Sequence, residues 1–280
     1  MSFILDLHTH AFPDFLAPKA MEVLTRPMGD WLPARDGTLA SLLASMDAAG
    51  VARCCVANIA TKPEQSTAIL SWSQQIASER LIPLGSVHPF SPRWGEELEA
   101  IAAAGLPGIK LHPLFQGFVV DDDAVMPLYA KAAQLGLFVL FHAGLDISYP
   151  GERGASPARL ARVRSQVPGL VMIAAHFGGW QVWDEVIEHL AGKDIYLDTS
   201  YIHQVPGPQL ETILRRHGTH RILFGSDSPW LSQVECLRHL RGMPLSAESL
   251  QGILGGNALG LHPALAHWGR SQLVALCAGV

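Results

Sequence analysis

The sequence predicts a single (β/α)8 barrel, of the TIM type, with a C-terminal helical extension, in one domain spanning residues 1–280. Three observations predict it. Eight short apolar runs of β type alternate with longer stretches that carry apolar residues at helical spacing. The runs are apolar throughout rather than alternating, as parallel strands covered on both faces should read. Eight such units also suit a chain of 280 residues, because ~250 residues is typical of this barrel. A doubly wound open sheet would alternate in the same way, but it would place a Gly-rich phosphate turn after its first strand. Here His8-Thr9-His10 stands there instead.

In order, the predicted strands run from Phe3 to His8, Val51 to Ala57, Leu81 to Val87 and Gly108 to Leu111. They continue with Leu137 to His142, Leu170 to His176, Ile195 to Asp198 and Arg221 to Ser226. Leu39, Leu42, Leu43 and Met46 form one helical stripe between them, Leu98, Ile101 and Ala102 another, and Val182, Val186 and Leu190 a third. Glycines after Ala49, Ala104, Leu135 and Pro168 mark helix ends, since a left-handed residue commonly closes a helix. Pro157 and Pro208 suit first-turn positions. The connection from Ala11 to Asp36 is long and holds Trp31, and loops of this length are often lids. Residues from Ser246 to Val280 read as extra C-terminal helix.

Composition narrows the function classes. Apolar residues make up 49% and charged residues 16% of the chain, against about 25% charged in an average domain. That fills a large core and is compatible with a subunit contact, hence with a homo-oligomer. A net charge of −5 leaves no basic footprint for nucleic acid. No apolar stretch approaches the ~20 residues of a membrane span, and the N-terminus lacks the basic region of a signal peptide. The expected setting is the cytoplasm, and the expected partner a small-molecule substrate. Cys54 and Cys55 lie in an apolar run and read as core, and with Cys236 and Cys277 they form no C-x-x-C pair.

The histidines carry the chemistry. His8, His142 and His176 each close an apolar run, and His10 lies two residues past His8, on the same side of an extended segment. Asp227 follows the eighth run. Strands one, five, six and eight thus each deliver a metal-competent side chain to the face where barrel active sites occur. Imidazoles with a carboxylate and no thiolate suit a divalent ion that keeps a position open for water, zinc first and Mn2+ second. Lys110 ends the fourth run. It reads as the holder of an anionic substrate group, as a carbamate bridging two ions, or as a salt-bridge partner of Asp6 or Asp227. His88 and His112 precede prolines and read as loop-shaping groups, His203 follows the seventh strand, and Asp6 reads as support for a ligand imidazole or as a core anchor.

These pieces resemble the amidohydrolase superfamily, more closely its amidohydrolase-related branch, which includes aminocarboxymuconate-semialdehyde decarboxylase. The matching segments are Asp6-Leu7-His8-Thr9-His10, Gly108-Ile109-Lys110-Leu111-His112-Pro113, Phe141-His142-Ala143-Gly144, Ala175-His176-Phe177-Gly178-Gly179, Leu223 to Pro229 and Gly256-Asn257-Ala258. The resemblance implies that His8, His10, His142 and Asp227 hold the metal, while His176 touches substrate or a second ion. Relatives of the TatD type carry a glutamate where this chain has Lys110, so one ion is expected rather than two. The reaction expected is attack by a metal-activated water on an amide, ester or lactone of a small carboxylated substrate. Asp227 would act as general base and acid, and His176 as polarising group. Non-oxidative decarboxylation or hydration at the same site is the alternative, and a catalytically silent scaffold a third reading. Lys110, Trp180, Tyr201 and Trp230 are the expected substrate contacts, with Phe115, Gln116 and Tyr149 beside them at the mouth.

Overall fold

Eight strands, all parallel and in chain order, make up the sheet of the computed structural model, which describes residues 3–268. They are β1 (Leu5–Thr9), β2 (Arg53–Val56), β3 (Leu81–Pro83), β4 (Gly108–Leu111), β5 (Phe138–Phe141), β6 (Met172–Ala174), β7 (Tyr196–Asp198) and β8 (Ile222–Leu223). The ladder falls into two sheets, β1-β2-β3 and β4-β5-β6-β7-β8, and hydrogen bonds cross both seams. At one seam Gly85 N–H donates to the Gly108 carbonyl and Lys110 N–H donates to that of Gly85. At the other, Leu7 N–H donates to Phe224 O and Asp227 N–H donates to His8 O. The strand succession thus returns to its start, as in a TIM barrel.

Most strands are shorter than the apolar runs that encode them. Val87, His142, His176 and Ser226 lie beyond the ladder. The His176 backbone has turned, with φ of 59°. Burial, which writes the apolar run, extends further than pairing does.

The helices between strands follow the predicted stripes. Helix α1 (Ala17–Thr25) lies in the first connection, ahead of α2 (Leu39–Ala49). Then come α3 (Ser66–Ile76), α4 (Trp94–Ala103), α5 (Met126–Gln134), α6 (Pro157–Gln166), α7 (Trp183–His189), α8 (Gly207–His217) and α9 (Gln233–Arg241). Thr38 caps α2 by accepting the Ser41 N–H, and Gly50 closes it at φ 70°. Gly105 and Gly136 take the same left-handed conformation, but Gly169 does not, because α6 ends at Gln166, with Val167 as its cap ahead of Pro168. The first connection is therefore not the bare loop expected but a helical insertion, with Phe15 88% exposed on its outer side.

The C-terminal extension comprises α10 (Ala247–Gln251), a π-turn over Gly252–Gly256, α11 (Asn257–Leu261) and α12 (Pro263–His267). It runs under the N-terminal ends of the strands. Phe224 N–H donates to Ile253 O, the Asn257 amide donates to the Thr219 and Ile222 carbonyls, and the Trp268 indole donates to Ser78 O and Leu81 O. The bottom of the barrel is sealed this way, which leaves the opposite face for chemistry. The rest of the predicted extension, with Cys277, lies outside the described residues.

Candidate metal centre

The C-terminal strand ends surround a cavity of about 180 Å³, lined by His8, His10, Lys110, His142, His176 and Asp227 on its floor. At its centre His8 Nε2 lies 3.1 Å from His10 Nε2 and 3.2 Å from Asp227 Oδ1, and His10 Nε2 lies 3.1 Å from the same carboxylate oxygen. What these atoms carry follows from their ring partners. His8 Nδ1 is 2.7 Å from Asp198 Oδ2, and His10 Nδ1 meets the Ala57 carbonyl. Carboxylate and carbonyl oxygens only accept, so each Nδ1 holds a proton. Burial first, then the Lys110 charge, holds the His8 pKa well below its usual value, so that ring is neutral. His8 Nε2 is then a lone pair, facing the carboxylate oxygen and the Lys110 ammonium at 3.2 Å, and His10 Nε2 faces the same oxygen.

A second pair lies beside the first, with the His8 and His176 rings 5.5 Å apart. His142 Nε2 donates to the Leu145 carbonyl at 3.0 Å, which leaves its Nδ1 bare. Ser200 Oγ donates to Asp198 Oδ1 and accepts from His176 Nδ1 at 2.9 Å, which leaves His176 Nε2 bare. These two nitrogens are 3.0 Å apart. Uncompensated acceptors this close repel one another, whereas a cation between them satisfies all. The donor set, four imidazole nitrogens and one carboxylate oxygen, fits a divalent ion such as zinc or manganese. His8, His10 and Asp227 form the tighter knot, and His142 and His176 stand next to it.

Two further clusters of ligand type fail the same test. Asp198 joins His8 and His176, but its two oxygens are already taken by His8, Ser200 and the His176 N–H. His112, His142 and Asp146 also come together. His112 Nδ1, however, accepts the Phe115 N–H, so its Nε2 carries a proton toward Asp146 at 3.4 Å. That ring is a donor, stacked on His142 with centroids 4.0 Å apart.

Lys110 is 1% exposed, with Nζ 3.2 Å from His8 Nε2. Burial draws its pKa down to about 8 against the pull of Asp227 and Asp198. It makes no ion pair with Asp6. That carboxylate instead accepts from Ser226, Gln233 and the His8 N–H. Burial raises Asp6 to about 6 despite these bonds. It ties the start of β1 to the loop that presents Asp227.

Backbone strain gathers at the same rim. His176, Tyr201 and Asp227 all line the cavity with φ of 58–59°, a region costly for side-chain-bearing residues. Gly225 has no Cβ, and one added there would sit 3.0 Å from the Cβ atoms of both His8 and Asp198. The strand ends can approach only because that position is empty.

Trp180, Tyr201, Trp230 and Phe115 line the cavity as expected, and Trp31 joins them edge-on to Tyr201 at 6.2 Å. Gln116 and Tyr149 do not. Gln116 is buried, bonding the His112 N–H and the carbonyls of Ala60 and Val87. Tyr149 packs edge-on to Phe115. His203 is exposed and His88 accepts the Phe90 N–H. Sequence reasoning passed over Asp198, Ser200 and Asp146. Asp198 alone left a signal, an acid at the end of an apolar run.

The amidohydrolase family model matches residues 5–262. The chain belongs to that family. An uncharacterized TIM-barrel protein of Bordetella bronchiseptica superposes with a TM-score of 0.72 at 22% identity, over 94% of this chain and 99% of its own. The 5-carboxyvanillate decarboxylase of Sphingomonas paucimobilis gives 0.67 at 13% identity, over 93% and 99%. That of Novosphingobium aromaticivorans, complexed with manganese, gives 0.67 at 15%, over 93% and 96%. No curated protein sequence matches the chain. At these identities the structural likeness shows the barrel. The family places the chain among amidohydrolase-superfamily enzymes, without fixing the reaction. Among the described residues no helix is long and apolar enough to cross a membrane.

Proposed function

We propose that this amidohydrolase is a metal-dependent hydrolase that uses a divalent ion to activate water against a small ester, lactone or amide. One observation carries the reading: the Nε2 atoms of His8 and His10 and an Asp227 carboxylate oxygen meet within 3.1–3.2 Å at the barrel mouth. His142 Nδ1 and His176 Nε2 complete the donor set. Zinc is the expected ion, manganese the second choice. When bound, such an ion supplies Lewis acidity, which lowers the pKa of water toward ~7 and polarises a carbonyl.

The chain supplies the rest. Asp227 stands where it can take the proton of the attacking water and pass it to the leaving group. His176, fixed by Ser200 and the Asp198 carboxylate, offers only a lone pair at Nε2 and so would hold the ion rather than act as the polarising group expected of it. Trp180, Tyr201 and Trp230 enclose the substrate, and Trp31 from the helical insertion helps exclude water.

Lys110 favours a second reading. A lysine at the floor of the cavity can hold a carboxylate against the donor cluster, and two structures of the same fold are of decarboxylases. Elemental analysis of the purified protein tests the site, with about one ion per chain expected. A protein without bound divalent metal, and unable to take it up, would overturn both readings. Carbon dioxide release set against acid release, over aromatic carboxylates, lactones and esters, separates the two.

A further inference from the structure

The loop from Ser226 to Ser232, between β8 and α9, carries Asp227 to the donor cluster and Trp230 to the cavity wall. The residues at its two ends are fixed to one carboxylate. Asp6, fully buried on β1, accepts the Ser226 N–H at Oδ1 and the Ser226 hydroxyl at Oδ2, at 3.0 and 2.6 Å. The same Oδ2 accepts from Gln233 Nε2, at the start of α9, at 2.8 Å. Between these anchors the loop is tied again: Ser228 N–H donates to Ser226 Oγ, and Ser228 O accepts the His10 N–H. The Pro229 and Trp230 carbonyls accept the N–H groups of Arg35 and Ala34.

Packing alone does not explain Gln233. It is fully buried, is not part of the cavity lining, and among the described residues its Oε1 has no partner. Turning the amide over would set that oxygen against the Asp6 carboxylate, which only accepts. The nitrogen is therefore held toward Asp6, and the stranded oxygen is the consequence. A buried acceptor without a partner costs stability, so a helix that had only to pack would do better with an apolar residue of this shape. What the bond holds in place is Asp227. That residue keeps a left-handed backbone at φ 59°, with Oδ1 within 3.1–3.2 Å of two imidazole nitrogens. Looseness of ~1 Å in the supporting residues is enough to spoil such a site.

We propose that Gln233 is a positioning residue for the metal centre: through Asp6 it closes the Asp227 loop at its base and holds that carboxylate against His8 and His10. The proposal rests on the metal-site reading for what the loop serves, and on the hydrogen bonds alone for how the loop is held.

Gln233→Leu keeps the shape, removes the donor to Asp6 and removes the stranded oxygen with it. Two measurements on the full chain read the result. Hydrogen exchange followed by mass spectrometry reports on the loop without any metal, and titration of the metal-free protein with zinc reports on the centre. We expect the amides of residues 226–232 to exchange about tenfold or more faster in the variant. Zinc affinity should fall ~10–100-fold, the range for partners that orient metal ligands. The thermal midpoint of the metal-free variant should stay within about 3 °C of wild type, which separates positioning from a general loss of stability. If Gln233→Leu does not fold, Ser226→Ala opens the same clasp from its other end and should show both effects. Unchanged exchange in the loop overturns the proposal, and so does faster exchange with unaltered zinc affinity. A wild-type protein that takes up no divalent ion, with the exchange difference intact, refutes the metal-site reading instead.

Discussion

Proton bookkeeping at single atoms decides what this site can do. His8 and His10 are ligands in waiting because Asp198 and the Ala57 carbonyl hold the other ring nitrogen of each. His112, also at a strand end, is disqualified by one backbone N–H, that of Phe115. Asp227→Asn keeps the side-chain shape but removes the base, so turnover of the substrate found by product assay should fall at least ~10²-fold. Circular dichroism and the unfolding midpoint should stay unchanged, and a variant of near-normal rate would remove Asp227 from the role. Asp198→Asn should leave the fold intact while weakening metal affinity ~10–100-fold, because ring-orienting partners have effects of that size. A metal titration of the variant checks this, and unaltered affinity would show that Asp198 does not act through His8. The histidines were legible in the sequence because they interrupt apolar runs. Asp146 and Ser200 were not, since loop residues follow no period.

At the scale of elements, the site depends on loops that lock onto one another above the strands. Gly144, just past β5, pairs with Trp180, just past β6, at φ 93°. A Cβ at that position would sit 2.2 Å from the Trp180 nitrogen. Gly144→Ala should therefore cost roughly 2–4 kcal/mol, because both the backbone angle and the backbone contact are refused. Urea denaturation measures it, and a loss below about 0.5 kcal/mol would mean that the two loops move apart freely. The helices were largely readable from their stripes and capping glycines. The exception is α1, hidden in a segment whose length and prolines read as loop. Leu24 in α1 and Met28 just after it line the cavity, while Val23 in α1 and Phe15 just before it are exposed. An apolar pattern on both sides gives no single stripe.

For the whole molecule, pH links stability to buried histidines away from the centre. His217, at the end of α8, accepts the Gly192 N–H at Nδ1 and keeps a buried Nε2 without a partner. Burial, helped by Arg221, pulls its pKa down to about 4. The unfolded chain binds this proton near pH 6.5, the folded chain only near 4. The stability from the neutral ring is therefore complete above about 6.5 and lost as pH falls through about 4, up to roughly 3 kcal/mol. His217→Gln removes the titration, so its acid-side decline in unfolding free energy should be shallower by about that amount. Superimposable pH profiles for the two proteins would refute the assignment.

By itself the sequence determined the barrel class, the chain order of the strands and the residues able to bind a metal, because periodicity and residue chemistry are local properties. Tertiary structure decided which of those residues share a point. It set His8, His10 and Asp227 around one centre, placed His142 and His176 beside it, turned His112 into a donor and Gln116 into a buried clamp, and brought Asp198 and Asp146 in. Those outcomes depend on the direction of each backbone as it leaves the sheet, and on hydrogen-bond partners contributed by segments up to 227 positions away. Such partners exist only once the ring of strands has closed.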